Sequence, residues 1–94
     1  MKLILCKECE DVIKLQYEMR FCKCKKSYGK YVKDAYAEYA GPCVPLGLQN
    51  LSLATAIRNQ PLFSPGRKFE AFVIPTISKT CKRMENDQHN SKEP

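Results

Sequence analysis

The chain has 94 residues, six of them cysteine, and a formal charge of +6 from 16 Lys plus Arg against 10 Asp plus Glu. This length supports one core and excludes two independent ones, and a core so small commonly needs a metal or disulfide beside it. The basic excess suits an anionic partner such as nucleic acid, a nucleotide or a phosphate, and no apolar run approaches the ~20 residues that cross a bilayer.

The first residues, Met1-Lys2-Leu3-Ile4-Leu5-Cys6, hold too short an apolar run for a signal-peptide core. A cytoplasmic protein is therefore expected, with thiols kept reduced and metal favoured over disulfide. Lys2 to Leu5 reads as a short strand entering the first cysteine pair. In the segment from Glu10 to Tyr17, Ile13, Leu15 and Tyr17 fall on one face at the period of a strand. Glu18-Met19-Arg20 reads as a turn and Phe21 to Lys25 as the returning strand, so one hairpin is expected to carry a cysteine pair at each end.

Those pairs are Cys6-x2-Cys9 and Cys22-x-Cys24, twelve residues apart. Two tight turns with two thiolates each can surround one ion with four sulfurs about 2.3 Å away, leaving no open position for catalysis. The pattern predicts one structural Zn2+, with an iron–sulfur cluster or plain thiols as alternatives. The C-x-C pair departs from the commoner C-x2-C knuckle, in which a backbone amide points at the sulfur. Four thiolates and a divalent ion would bring the charge down to about +4. Cys43 and Cys81 read as buried apolar cysteines rather than replacement ligands or reactive thiols.

From Ser27 to Tyr39 the chain mixes tyrosine, small residues and charge, and both strands and a helix from Lys33 to Ala40 are open. The stretch from Lys23 to Lys33 is the densest candidate binding segment. Lys23, Lys25, Lys26, Lys30 and Lys33 can attract phosphate, Tyr28 and Tyr31 can stack on bases, and Gly29 can admit a ligand to the backbone. The competing reading is a solvated strand with its tyrosines packed inward. Ser27, Gly29 and Tyr31, with Asn50, could instead line a pocket for a nucleotide or phosphate.

Gly41-Pro-Cys-Val-Pro-Leu-Gly47 reads as loop or edge strand because of its prolines. Asn50 is placed as the cap of a helix from Leu51 to Gln60, with Leu53, Ala54 and Ile57 on one face and Pro61 beyond the end. Beyond a turn at Phe63-Ser-Pro-Gly66, Phe69 to Ile74 and Thr76 to Lys82 read as strands. The domain is expected to span 1–84, with 85–94 a disordered polar tail in which the sole histidine, His89, has no role. With no paired histidine and nucleophile, the chain does not read as an enzyme.

The cysteine hairpin resembles zinc ribbons. The larger pattern adds Asp11-Val-Ile-Lys-Leu15, Arg20-x-Cys22, Ser27-x-Gly29-x-Tyr31, Pro45-Leu-Gly47 with Asn50, and Phe69-Glu-Ala-Phe-Val-Ile-Pro75. It is similar to a group of small ribbon-headed proteins of unassigned function from bacterial and phage genomes. That resemblance implies a cytosolic binding protein of microbial or viral origin. The expected fold class is α+β, an N-terminal ribbon continuous with a small antiparallel sheet and one helix. Nucleic acid is the first-ranked partner, with a nucleotide-sized ligand or a partner protein as alternatives.

Overall fold

The computed structural model describes residues 1–84; the expected tail and His89 lie outside them. Short alternating segments make eight strands: β1 (Lys2–Cys6), β2 (Val12–Lys14), β3 (Arg20–Phe21), β4 (Tyr28–Lys33), β5 (Tyr36–Ala40), β6 (Cys43–Leu48), β7 (Ala71–Val73) and β8 (Cys81–Arg83). One helix, α1 (Asn50–Arg58), lies between β6 and β7. The class is thus α and β mixed, mostly sheet.

The strands form two four-stranded sheets, in the orders β2-β1-β6-β7 and β3-β4-β5-β8. All pairings in the first are antiparallel, whereas β8 joins β5 in parallel at the edge of the second. The period-two alternation of β1 and β6 turns Ile4, Cys6, Cys43 and Pro45 inward. Ala37 and Tyr39 of the second sheet face them, and Ile4, Ile13, Leu15, Tyr39, Ile74 and the cysteines make one shared core.

The expected hairpin does not form as drawn. β2 pairs with β1, placing Ile13 opposite Ile4, while β3 pairs with β4, placing Phe21 opposite Tyr28. Residues 15–19 carry the chain between the sheets, tied by Leu15 N–H to the Lys2 carbonyl at 3.0 Å and Tyr31 N–H to the Gln16 carbonyl at 2.7 Å. Ile13 and Leu15 are buried as their spacing requires, but Tyr17 is 62% exposed. Spacing assigned their face but not their partner strand.

Elsewhere the open choices resolve. The segment from Tyr28 to Ala40 is a hairpin turning through Asp34-Ala35, with Ala35 at φ 60° and a bulge between Tyr31 and Lys33. The helix considered for 33–40 is absent. Residues 43–48 form a central strand rather than a loop or edge, and Pro45 is tolerated there for a specific reason. Its carbonyl accepts from Ile74 N–H at 2.9 Å, so its donorless nitrogen faces β7 too, where the paired rungs have just ended at Leu46 and Val73. The strands expected at 69–74 and 76–82 give way to the shorter β7 and β8.

Helix α1 is capped by the side chain of Gln49, which accepts from Ser52 N–H, rather than by Asn50. Asn50 Oδ1 accepts instead from the Met1 amino nitrogen at 2.9 Å. No residue of α1 is buried.

Candidate metal centre

The turn between β1 and β2 carries Cys6 and Cys9, and the turn between β3 and β4 carries Cys22 and Cys24. Each pair belongs to a different sheet, and the four Sγ atoms lie within 4.8 Å of one another. Cys6 and Cys24 sulfurs are 3.7 Å apart and those of Cys22 and Cys24 3.4 Å apart. Sulfurs placed 2.3 Å from one tetrahedral ion lie about 3.8 Å from each other, so the group could hold a metal ion. The described cysteines are all free of disulfides.

The backbone solves both pair spacings in the same way. The residue after each second cysteine is left-handed, Glu10 at φ 63° and Lys25 at φ 67°. Glu10 N–H then donates to the Cys6 carbonyl at 2.7 Å, and Lys25 N–H to the Cys22 carbonyl at 3.0 Å. Each turn also points an amide at a sulfur: Glu8 N–H to Cys6 Sγ and Ser27 N–H to Cys22 Sγ, both 3.4 Å. The short C-x-C pair gets its amide from further along, just ahead of β4, at Ser27.

These donors divide the sulfurs electrostatically. The Ser27 hydroxyl beside Cys6, aided by the Cys9 and Glu8 amides and opposed by burial, holds the Cys6 thiol down at about 6. At Cys22 burial works against ionisation, but the Ser27 amide and the Cys24 sulfur prevail and lower it. At Cys24 the Lys26 amide favours the thiolate, yet burial and the three other sulfurs push it up to about 12. The fully buried Ser27 Oγ makes no hydrogen bond of ordinary geometry, and its hydroxyl acts on the Cys6 and Cys43 thiols by lowering them.

Metal loading at neutral pH must therefore displace protons, that of Cys24 among them, and its affinity should fall as the solution is acidified. The fall should steepen below about pH 6, where Cys6 too is protonated before it can bind. Competition against a chromophoric chelator over a pH series measures this, and an affinity flat across that range contradicts it.

Cys43 and Cys81 are buried, and burial raises both thiols above their ordinary value. Cys43 faces Cys6 across β1 and β6 and points its sulfur at the Ala40 carbonyl at 3.4 Å. Neither joins the group of four, in keeping with their reading as apolar core.

The binding segment is split by the fold. Lys23, Lys25 and Lys26 are exposed on the second cysteine turn, Lys26 Nζ lying 3.8 Å from Glu8. Ser27 is wholly buried. Gly29 is buried too, and a Cβ there would meet the Glu38 carbonyl oxygen at 2.8 Å, so this glycine admits a neighbouring strand rather than a ligand. Tyr31 lies on the opposite side of β4 from Tyr28; its hydroxyl accepts from Lys2 N–H at 3.0 Å and its ring lies 5.8 Å from that of Tyr17. Lys33 reaches over the Tyr36 ring at 5.0 Å.

Of the set Ser27, Gly29, Tyr31 and Asn50, only the last two line a common hollow, of about 290 Å³, beside Lys2 and Asp34. Tyr28 and Lys30 remain together on the outer face of the second sheet. There Phe21 stacks on Tyr28 with ring centroids 5.1 Å apart, Glu38 sits opposite Lys30, and Lys82 follows on β8. Neither Phe21 nor Lys82 is a candidate on sequence grounds; an aromatic directly before a cysteine pair was the available signal for the first, and nothing local marks the second.

What these features define is a mixed, mostly sheet protein with a four-cysteine group joining its two sheets. No family model matches the chain, and neither a curated protein nor a solved structure matches it. Among the described residues no helix is long and apolar enough to cross a membrane.

Proposed function

We propose that the chain is a non-enzymatic zinc protein of the ribbon type that binds single-stranded nucleic acid on the outer face of its second sheet. Four thiolates with no nitrogen or oxygen ligand, spaced for one tetrahedral ion, suit zinc, and a closed set of this kind is structural. A reducing cytoplasm keeps such thiols available, and we place the protein there.

The observation that carries the nucleic-acid reading is the Phe21 and Tyr28 ring pair beside Lys30 and Lys82, with Lys23, Lys25 and Lys26 on the adjoining turn. Aromatic faces accept bases of any sequence while lysines track the phosphates. A nucleotide pocket has less support, because Ser27 and Gly29 are interior.

Anisotropy titrations of labelled DNA and RNA single strands should show affinity falling steeply with salt. Phe21→Ala should weaken binding by about 1–3 kcal/mol, and Lys30→Ala should reduce the salt slope by roughly one. Since Phe21 is 50% exposed, its loss leaves the fold intact. Affinity insensitive to salt, or unchanged in Phe21→Ala, would count decisively against this surface.

A further inference from the structure

The outer face of the first sheet is apolar across all four strands. Cross-strand register sets Leu3 opposite Leu46 and Leu46 opposite Val73, then Val12 opposite Leu5 and Leu5 opposite Val44, then Leu48 opposite Ala71. The one charge in these rows is Lys14, opposite Leu3 on the edge strand β2. An antiparallel sheet with one solvated face ordinarily carries polar residues there. Helix α1 does not supply the missing layer, since it makes no extensive contact with any strand and buries none of its own residues.

The apolar character also runs on past the sheet. Leu48 and Ala71 close the ends of β6 and β7, and these strands lead directly into α1 and the segment 61–69. There Leu51 is 69% exposed, Ile57 65%, Leu62 89% and Phe63 81%. The two roots of this arm, α1 with the segment 61–69, are joined to each other by Gln49 N–H to the Glu70 carbonyl at 2.9 Å and Glu70 N–H to Ser52 Oγ at 2.7 Å. The arm's apolar side chains stay uncovered by the rest of the described residues.

We propose that this face, flanked by the arm, is the contact between two copies of the chain in an isologous dimer. Size is the first argument. Side chains of this kind carry roughly 150–200 Å² each when fully open, so the arm residues together with Val12 and Val73 present on the order of 600–800 Å². The half-buried leucines of the sheet bring that to the ~800 Å² per partner of a standard interface. Monomers rarely leave so much apolar surface open.

Composition is the second argument. A two-fold pairing sets like surface on like, and a flat face of leucine and valine is complementary to itself, as in a sheet-on-sheet core. The sheet face itself carries one basic residue, Lys14 at its edge, far fewer than the second sheet and its cysteine turn present. The pairing leaves the outer faces of both second sheets open, so the dimer and the nucleic-acid reading stand or fall separately.

Sedimentation equilibrium of the full zinc-loaded chain should give twice the chain mass, with Val73→Lys shifting it to the monomer mass. Val73 is 65% exposed on an edge strand, so the variant folds, and an unchanged zinc content verifies that. Leu46→Glu, at the centre of the face, should act likewise. A wild-type monomer at millimolar concentration, a polydisperse aggregate, or a dimer that persists in Val73→Lys overturns the proposal.

Discussion

Replacing Cys9 or Cys22 with serine is expected to abolish zinc binding and to leave a protease-sensitive chain without a cooperative melting transition. The ion would sit where two turns from different sheets meet, and no disulfide among the described residues joins those sheets, so beyond the chain's own crossings it would be their strongest tie. Structural zinc sites contribute about 10–16 kcal/mol, whereas a domain of this size is stable by only about 5–15 kcal/mol. The shared core is thin. Ile4, Ile13, Leu15 and Ile74 with Tyr39 are its large apolar members, and much of the remainder is cysteine. Without the ion the buried sulfurs also fall into uneven protonation, with Cys6 ionised near the unionised Cys24. Metal analysis should give one zinc per wild-type chain, and chelation should reproduce the serine phenotype. Cys81→Ala is the control: it should retain zinc and lose about 1–2 kcal/mol as a core truncation. A metal-free wild-type protein that melts as before defeats the assignment.

The four-cysteine group was legible because the spacing that brings its sulfurs together is local. Two short spacings place two sulfurs per turn, and that holds whichever strands the turns connect. Strand pairing is a long-range property, which is why the same residues suggested one hairpin where the chain builds two. The pattern of Ile13 and Leu15 specifies a buried face, and both β1 and the stretch from Phe21 could have offered one. The choice of β1 follows from the turn at Cys6 to Asp11, where Cys6 N–H bonds the Asp11 carbonyl at 2.9 Å.

The lysine and tyrosine segment shows the opposite case. Its composition is local, but its function depends on side alternation. Once Tyr28 to Lys33 is a strand, Gly29 and Tyr31 turn towards the other sheet and only Tyr28 and Lys30 stay on the outer face. Phe21 then matters as the residue opposite Tyr28, a relation that no window of sequence contains. Pro45 misled for a similar reason: proline in a central strand is permitted only because its nitrogen falls where one ladder ends.

Gly41→Ala should be among the most damaging substitutions outside the ligands, although this glycine binds nothing. It links β5 to β6, carrying the chain from the second sheet back to the first, and it stands at φ 100°. An added Cβ would lie 2.1 Å from the Lys26 carbonyl oxygen and 2.7 Å from Ser27 Cα. Both are backbone atoms and neither can rotate aside. Left-handed strain of about 1–2 kcal/mol and overpacking of about 1–3 kcal/mol together imply a loss of about 3 kcal/mol, or upward of ~12 °C in melting temperature. The displaced segment is also the one that supports the metal group, since Ser27 N–H donates to Cys22 Sγ and the Ser27 carbonyl accepts from Cys22 N–H at 3.0 Å. Zinc should accordingly transfer to a competing chelator faster from Gly41→Ala than from wild type. Gly66 provides the comparison, because a Cβ added there would have no atom within 4 Å and its φ is not positive, so Gly66→Ala should be neutral or slightly stabilising. Equal melting temperatures and equal zinc transfer for the two alanine variants would show that the approach of Gly41 to residues 26–27 does not support the metal site.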